Sequence, residues 1–340
     1  MPLKVAFVGF RHSHVMGMYN LLKNHQDAII VAACEEDAET RKAIKEQGVN
    51  ITHESYGDML SSVECDAVAV GDYFAIRGQR AIAALEAGKH IVGDKPLCTK
   101  LDELDRIESL AYSKHLKVGC MLDLPNLGPY ITLRDVIRRG AIGEVHTITF
   151  MGIHPLNYGK RPAWYFEPGK HGGTLNDIAI HGIDIIPWLT GRTVVEITAA
   201  RGWNAKLKQH PEFQDGATLM LKLDNQGCVM GDISYLSADT VGFKIPPYWR
   251  FTITGSGGVA ETAVNDTHVH IYRHDSTTPI EEPVASPNSG GYFADFVRDV
   301  TENPDMENLH TARVLHTSRL ALLTQAAADT GKFPTPAPGA

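Results

Sequence analysis

Three stretches of the sequence hold residues whose types and spacing suit proton transfer or anion binding. In "HGGTLNDIAIHGIDIIPWL", Asp177 and His181 stand at i and i+4, so on a helix they share one face, with Asp184 about one turn further on. A carboxylate beside an imidazole is a pair that can hold and move a proton near neutral pH. The stretch also has a plainer reading. Thr174 to Asp177 fits T-x-x-D, a capping-box variant, in which Asp177 only closes the helix start and His181 is a buried histidine. In "VGDKPLC", Lys95 follows an apolar run and precedes a proline. A partly desolvated lysine there can hydrogen-bond a hydroxyl and take part in proton transfer; in solvent it is an ordinary turn lysine.

The third stretch is "KVAFVGFRHSHVMGMY", a strand running into a glycine turn and a helix. A full G-x-G-x-x-G turn cradles a pyrophosphate with backbone N–H groups at a helix start. Here Gly9 stands in register, while Arg11 and His14 occupy the positions of the later glycines. Because backbone amides do the cradling, Gly9, Phe10, Arg11 and His12 remain the expected contacts, with Arg11 a possible partner of an anion. Glu35, ending the next strand, is placed to accept hydrogen bonds from a ribose 2′-OH and to repel a 2′-phosphate, and Glu36 reinforces that preference. The bland alternative for both acids is a solvated helix N-terminus. His12 and His14 have no Cys or acid at ligand spacing, so no metal is expected.

Positioning these groups requires alternating elements. The first third reads as strands "LKVAFVG", "AIIVAAC", "CDAVAV", "HIVGDKP" and "LKVGCML", separated by helical patterns such as "DAETRKAIKEQG" and "RGQRAIAALEAGK". Apolar strands alternating with amphipathic helices imply βαβ units around a mostly parallel sheet covered on both faces. Ligands bind such sheets at the carboxyl ends of the strands, near residues 9–14, 35–37, 71–77 and 94–98, which brings Asp72 and Asp94 to the cofactor side with Lys95. After about residue 122, alternation takes over in "EVHTITFMGIH", "TVVEITAARGW" and "ATLMLKLDNQGCVMGDISYLS", with "DNQG" and "GSGG" as turns. The expected boundaries are 1–122 and 123–340. A helical segment from about Tyr292 to Thr330 follows, and "PTPAPGA" reads as a frayed tail.

With 43% hydrophobic and 21% charged residues, the 340-residue chain is an ordinary globular protein long enough for two domains. A formal net charge of −8 argues against binding nucleic-acid phosphates. The five scattered cysteines contain no C-x-x-C pair and read as reduced packing residues. "MPLK" runs straight into a strand, without the regions of a signal peptide, and no apolar run is long enough to span a membrane. The expected location is cytoplasmic.

Taken together, these segments resemble the Gfo/Idh/MocA family of NAD(P)-dependent sugar and inositol dehydrogenases. The likeness runs in order through the opening at Gly9, "ACEED", "LEAGKHIVGDKPL", "RRGAIGEVHTITF", "HGGTLNDIAIHGIDIIPWLTG" and "ITGSGGVAE". The most specific pieces are "AGKHIVGDKPL", similar to the family's AGKHVxxEKPL, and "GGTLNDIAIH", similar to its GGGxLxDxGxH. The resemblance implies an N-terminal Rossmann domain with a doubly wound parallel sheet, then an α+β domain with a large, mainly antiparallel open sheet that serves oligomer formation, a dimer or tetramer. It further implies that Lys95 contacts substrate and nicotinamide, that Asp177 binds substrate, and that His181 is the base for the alcohol proton. The Lys95–Pro96 bond is a candidate for the cis form.

Departures gather around the cofactor and pocket. Asp94 replaces the motif's glutamate, Arg77 stands in "GDYFAIR" where histidine is usual, and His171 and Ala179 occupy glycine positions. The loop "GIHPLNYGKRPAWYFEPGKHGG" has the aromatic faces and polar tips a polyhydroxylated ligand needs, which nominates His154, Arg161, Trp164 and Tyr165 as substrate contacts beside Asp177. The expected activity is oxidation of a secondary hydroxyl with NAD rather than NADP. Rival readings are a glycoside-cleaving enzyme using transient oxidation, and a non-catalytic sensor on the same fold.

Overall fold

The computed structural model describes residues 1–303 and 307–339. The first sheet is parallel and five-stranded: β1 (Leu3–Val8), β2 (Ala28–Cys34), β3 (Ala67–Val70), β4 (His90–Gly93) and β5 (Val118–Cys120), in the order β2-β1-β3-β4-β5. Every residue of β3, β4 beyond His90, and β5 is buried, as expected for a sheet covered on both faces. The interleaved helices are α1 (His14–Lys23), α2 (Ala38–Glu46), α3 (Tyr56–Ser62), α4 (Phe74–Glu86) and α5 (Leu101–Ser113). Their starts follow local chemistry where it is available. Asp37 caps α2 by accepting from the Thr40 amide at 2.8 Å, and Ser55 caps α3.

The second sheet has nine strands: β6 (Val145–Pro155), β7 (Val194–Trp203), β8 (Gly216–Leu223), β9 (Cys228–Ser237), β10 (Tyr248–Gly255), β11 (Gly258–Thr262), β12 (His268–Arg273), β13 (Ile280–Pro283) and β14 (Thr335–Pro336). Their order is β13-β12-β11-β10-β6-β9-β8-β7-β14, antiparallel throughout except for the β6–β9 pair. Helices α6 (Gly128–Arg138) and α7 (Ile180–Thr190) accompany it, followed later in the chain by α8 (Gly291–Val300) and α9 (Thr311–Thr330).

The chain forms two compact units that interleave in sequence. The first comprises Met1–Met121, Pro162–Gly172 and Gly290–Ser318; the second comprises Leu122–Arg161, Gly173–Ser289 and Arg319–Ala340. A single cut at 122 therefore does not describe the division. The physical reason is packing: Val118 in β5 donates to Thr311 Oγ1 at 2.9 Å, and a Cβ on Gly119 would lie 2.8 Å from the Phe296 ring, so late segments complete the first sheet.

Two local expectations are revised. The helical segment at 292–330 is two helices, and residues 304–306 between them lie outside the described residues. The tail "PTPAPGA" is not frayed where it is described. Thr335 and Pro336 pair with Ile197 and Glu196, and the Ala337 amide donates to Val195 at 3.0 Å, an edge position that tolerates proline. None of the five cysteines is in a disulfide among the described residues, and four of them are buried. Among the described residues no helix is long and apolar enough to cross a membrane.

Candidate active site

In the first unit, β1 ends in Gly9, whose φ of +77° lies in the left-handed region. A Cβ there would come within 2.5 Å of Asp72 Cβ, so this glycine is required where the later ones are not. Phe10 and His12 are buried, while Arg11 reaches back over the Tyr73 ring at 4.7 Å and pairs with Asp72 at 2.5 Å. The same aspartate pairs with Arg80 at 2.6 Å. Asp72 is therefore the counter-ion of two arginines that flank the turn. Arg11 thereby points its charge at Asp72, and the start of α1 is left to backbone amides. Ser13, at the cap of α1, makes no side-chain hydrogen bond into the first turn. An uncapped helix start behind a tight glycine turn suits a pyrophosphate, so the residues present fit a dinucleotide.

Glu35 has a different task from the one expected of it. It is fully buried, Oε2 accepts the Phe10 amide at 2.5 Å, and Oε1 accepts the Asp37 amide at 2.8 Å. Burial pushes its carboxyl up, against those two amide bonds. Both oxygens thus hold the turn and the start of α2 together instead of being presented to a ribose. Glu36 accepts from the Tyr56 amide at 3.0 Å and pairs with Arg80 at 3.0 Å. Burial raises its carboxyl, but the Tyr56 amide and Arg80 leave it lowered overall. Spacing alone could not reveal that these acids have internal partners.

At the end of β4, Asp94, Lys95 and Pro96 form a loop with a cis Lys95–Pro96 bond, as the family likeness implied. Arg77 organises this loop. Fully buried on α4, it donates to the Asp94 carboxylate at 2.6 Å, the Lys95 carbonyl at 2.6 Å, the Pro96 carbonyl at 3.2 Å and the Asp72 carbonyl at 3.0 Å. Its guanidinium also lies 4.5 Å over Phe74. Lys95 is itself 5% exposed, so it is no solvent lysine. The sequence signalled Arg77 only as a departure from histidine; its fork of donors is what lets one residue hold three successive loop positions.

Asp94 also meets His12 Nδ1 at 2.5 Å and His14 Nδ1 at 3.2 Å. The ligand-type atoms of these three residues lie within 4.8 Å of one another. The premise that no acid accompanies the two histidines is thus corrected, since the fold supplies one from 80 residues away. Arg77, however, occupies the same carboxylate oxygen as His12, and a guanidinium there opposes a divalent cation. Burial alone would raise Asp94, but Arg77 and then His12 hold it well below the usual carboxylate range. Burial pulls His12 down to about 3, outweighing the Asp94 charge. Trp164 and Tyr165 pack onto this cluster with ring centroids 4.3 Å apart; Trp164 Nε1 donates to the Arg11 carbonyl at 3.1 Å. His171 lies 5.4 Å from Tyr165.

In the second unit, the segment Leu175–Ala179 is a π-helix that leads into α7, a wider winding often found at functional sites. The capping reading of Asp177 fails. Thr174 Oγ1 donates to the Gln214 carbonyl, and the Leu175 and Asn176 amides are capped instead by Gln325 Oε1 at 3.0 and 3.4 Å. Asp177, 2% exposed, accepts from the Tyr235 hydroxyl. Tyr235, which the sequence reading missed, reaches it from β9, and the Arg161 guanidinium stands 4.9 Å over its ring. Arg161 also donates to the Leu156 and Pro155 carbonyls at 2.6 and 3.0 Å, so it shapes its own loop. His154 sits among Tyr235, Phe243, Tyr248 and Trp249, and the ring of His181 lies 5.4 Å from Trp249. Asp184 is buried further along α7. The arrangement is an acid and an imidazole on one winding, with aromatic faces nearby.

Two family descriptions match the chain in succession. Residues 3–121 match the oxidoreductase family with an NAD-binding Rossmann fold, and residues 130–261 match the Gfo/Idh/MocA C-terminal domain. The chain belongs to the Gfo/Idh/MocA family, and its first unit carries that family's NAD-binding Rossmann fold. Inositol 2-dehydrogenase 2 of Saccharopolyspora erythraea is 27% identical over 57% of this chain and 56% of its own length. D-glucoside 3-dehydrogenase of Escherichia coli is 26% identical over 59% and 58%. The chain thus matches little more than half the length of these curated relatives. An oxidoreductase from Agrobacterium radiobacter, solved in complex with NAD+, L-tartaric acid and magnesium, shares the fold at a TM-score of 0.81 and 17% identity, covering 98% of each chain.

Proposed function

We propose that the protein is an NAD-dependent dehydrogenase that oxidises a secondary hydroxyl of a sugar, a cyclitol or a derivative of one. The observation that carries this reading is Asp177: relieved of helix capping by Gln325, buried, and held by Tyr235, it stands one winding before His181. When bound, NAD+ supplies the hydride acceptor. Asp177 then binds and orients the substrate hydroxyl and His181 takes its proton, while Lys95, in the first unit, is assigned to the cofactor. Arg77 keeps Lys95 in place by donating to the Lys95 and Pro96 carbonyls and to the Asp94 carboxylate. The family membership and the dehydrogenase relatives support the reaction class. The outward face of the larger sheet, where exposed Met220 and Met230 pair across strands, is assigned as the surface of self-association.

Titration with NADH and NADPH, followed by quenching of protein fluorescence, tests the cofactor; saturable binding that favours NADH is expected, and no binding of either dinucleotide overturns the reading. With NAD+ and a panel of cyclitols, sugars and glycosides, His181→Ala abolishes turnover while the thermal midpoint holds. Bond cleavage without net NADH release would instead indicate transient oxidation.

A further inference from the structure

One residue of the second unit stands in a backbone conformation that its type disfavours. Trp249 has a φ of +51°, which for a bulky side chain costs energy and persists only where the surroundings over-determine it. Its place in the sheet accounts for the conformation. Between β10 and β6, Tyr248 pairs with Gly152 and Arg250 with Met151, so Trp249 is the extra residue of a bulge. A bulge breaks the regular alternation of side chains and re-aims one of them, often beside a functional site. The Tyr130 hydroxyl, from α6, donates to the Trp249 carbonyl at 2.5 Å and pins the bulge.

The indole that the bulge re-aims is 3% exposed and stands edge-on to His181, with ring centroids 5.4 Å apart and planes at 75°. On the β6 side it meets His154 at 5.6 Å and 86°. Room for it is made at Gly152, where a Cβ would lie 3.0 Å from Cη2 and Cζ3 of the indole, closer than ordinary contact. An indole nitrogen can only donate, so the ring restrains the imidazole without competing for an alcohol proton. We propose that Trp249 is a positioning residue: the strained bulge of β10 holds the indole against His181 and so fixes the direction from which this imidazole meets the substrate hydroxyl. The inference rests on the dehydrogenase reading, in which His181 is the base. His181 has other contacts as well; the indole adds the constraint that comes from the sheet.

Gly152→Ala tests this with Trp249 intact, since the added methyl must push the indole. In turnover of a cyclitol or glucoside with NAD+, kcat should fall about tenfold or more through misplacement of the base. KM should stay within about twofold, as for an interaction made only in the transition state. The same methyl would lie 3.1 Å from Ile178 Cγ2, next to Asp177, so a double-mutant cycle with Trp249→Phe separates the two routes. Phe lacks the crowded part of the indole and keeps an aromatic ring; in that background Gly152→Ala should cost less than about threefold. An undiminished cost there assigns the effect to Ile178 and overturns the proposal. So does an unchanged kcat in the single variant, or a raised KM, which would make Trp249 a substrate contact. A second measurement needs no turnover. The His181 ring should give one sharp set of ¹H–¹³C signals in the wild type and broadened or doubled signals in Trp249→Ala. One sharp set in both proteins, or a doubled set already in the wild type, overturns the positioning role. Should Trp249→Ala not fold, Gly152→Ala is read in the same way. A wild type that turns over no substrate refutes the dehydrogenase reading, while the His181 signals still judge the role of Trp249.

Discussion

The two units solve the problem of placing polar groups in opposite ways. In the first, buried charges are arranged against each other: Asp72 with Arg11 and Arg80, and Asp94 with Arg77 and His12. In the second, aromatic rings stand beside Asp177 and His181, a tyrosine hydroxyl donates to Asp177, and a glutamine carbonyl oxygen caps the winding that carries it. A charge network fixes hydrogen-bond direction but is costly when broken, because each partner is then left buried and uncompensated. Aromatic walls impose less direction and leave shape and stacking to select a ligand. The first arrangement suits an invariant ligand such as a dinucleotide, and the second suits a substrate that differs between relatives.

The contrast can be broken most severely at Arg77. Arg77→Met removes four donations from one buried site, and the expected loss is about 3–5 kcal/mol in denaturant unfolding; a loss below about 1 kcal/mol would mean that the network is not as tightly coupled as its geometry implies. The next test concerns pH. His12 is lowered in the folded state from 6.5 to about 3, so the unfolded chain binds a proton in that window and the folded chain does not. Stability therefore falls as pH drops from 6.5 towards 3, by up to about 1.4 kcal/mol per pH unit. Asp94, depressed in the folded state, contributes its stability in full above its ordinary value of 3.8 and adds to the loss as pH falls below that value. Unfolding free energies of His12→Asn should show a flatter slope there. The smallest effect is expected in the second unit. Gln325→Ala uncaps the winding that carries Asp177, at about 1 kcal/mol, whereas no loss there would mean that Gln325 does not do the capping.

The sequence made much of this legible, for identifiable reasons. Parallel strands buried on both faces are nearly continuous apolar runs, so β1 to β5 could be placed from composition alone. The alternation of β6 to β10 revealed a second sheet, and the lysine and Asp–His motifs were visible as local spacing. What remained hidden was every partner that arrives from far along the chain. Glu35 looked available for a ribose because nothing nearby in sequence shows that it accepts the Phe10 amide. Asp177 looked like a cap because Gln325, which does that work, is about 150 residues away. The acid beside His12 and His14 was missed for the same reason.

The interleaving of the units bears on how the protein is made. The parallel sheet is written almost entirely in the first 121 residues, yet Phe296 and Thr311 complete its packing at β5. During synthesis the N-terminal strands therefore emerge long before the segments that seal them. The usual order, in which an N-terminal domain folds while the rest of the chain is being translated, cannot run to completion here. The Rossmann sheet must wait with an open flank until the chain has been made as far as Thr311.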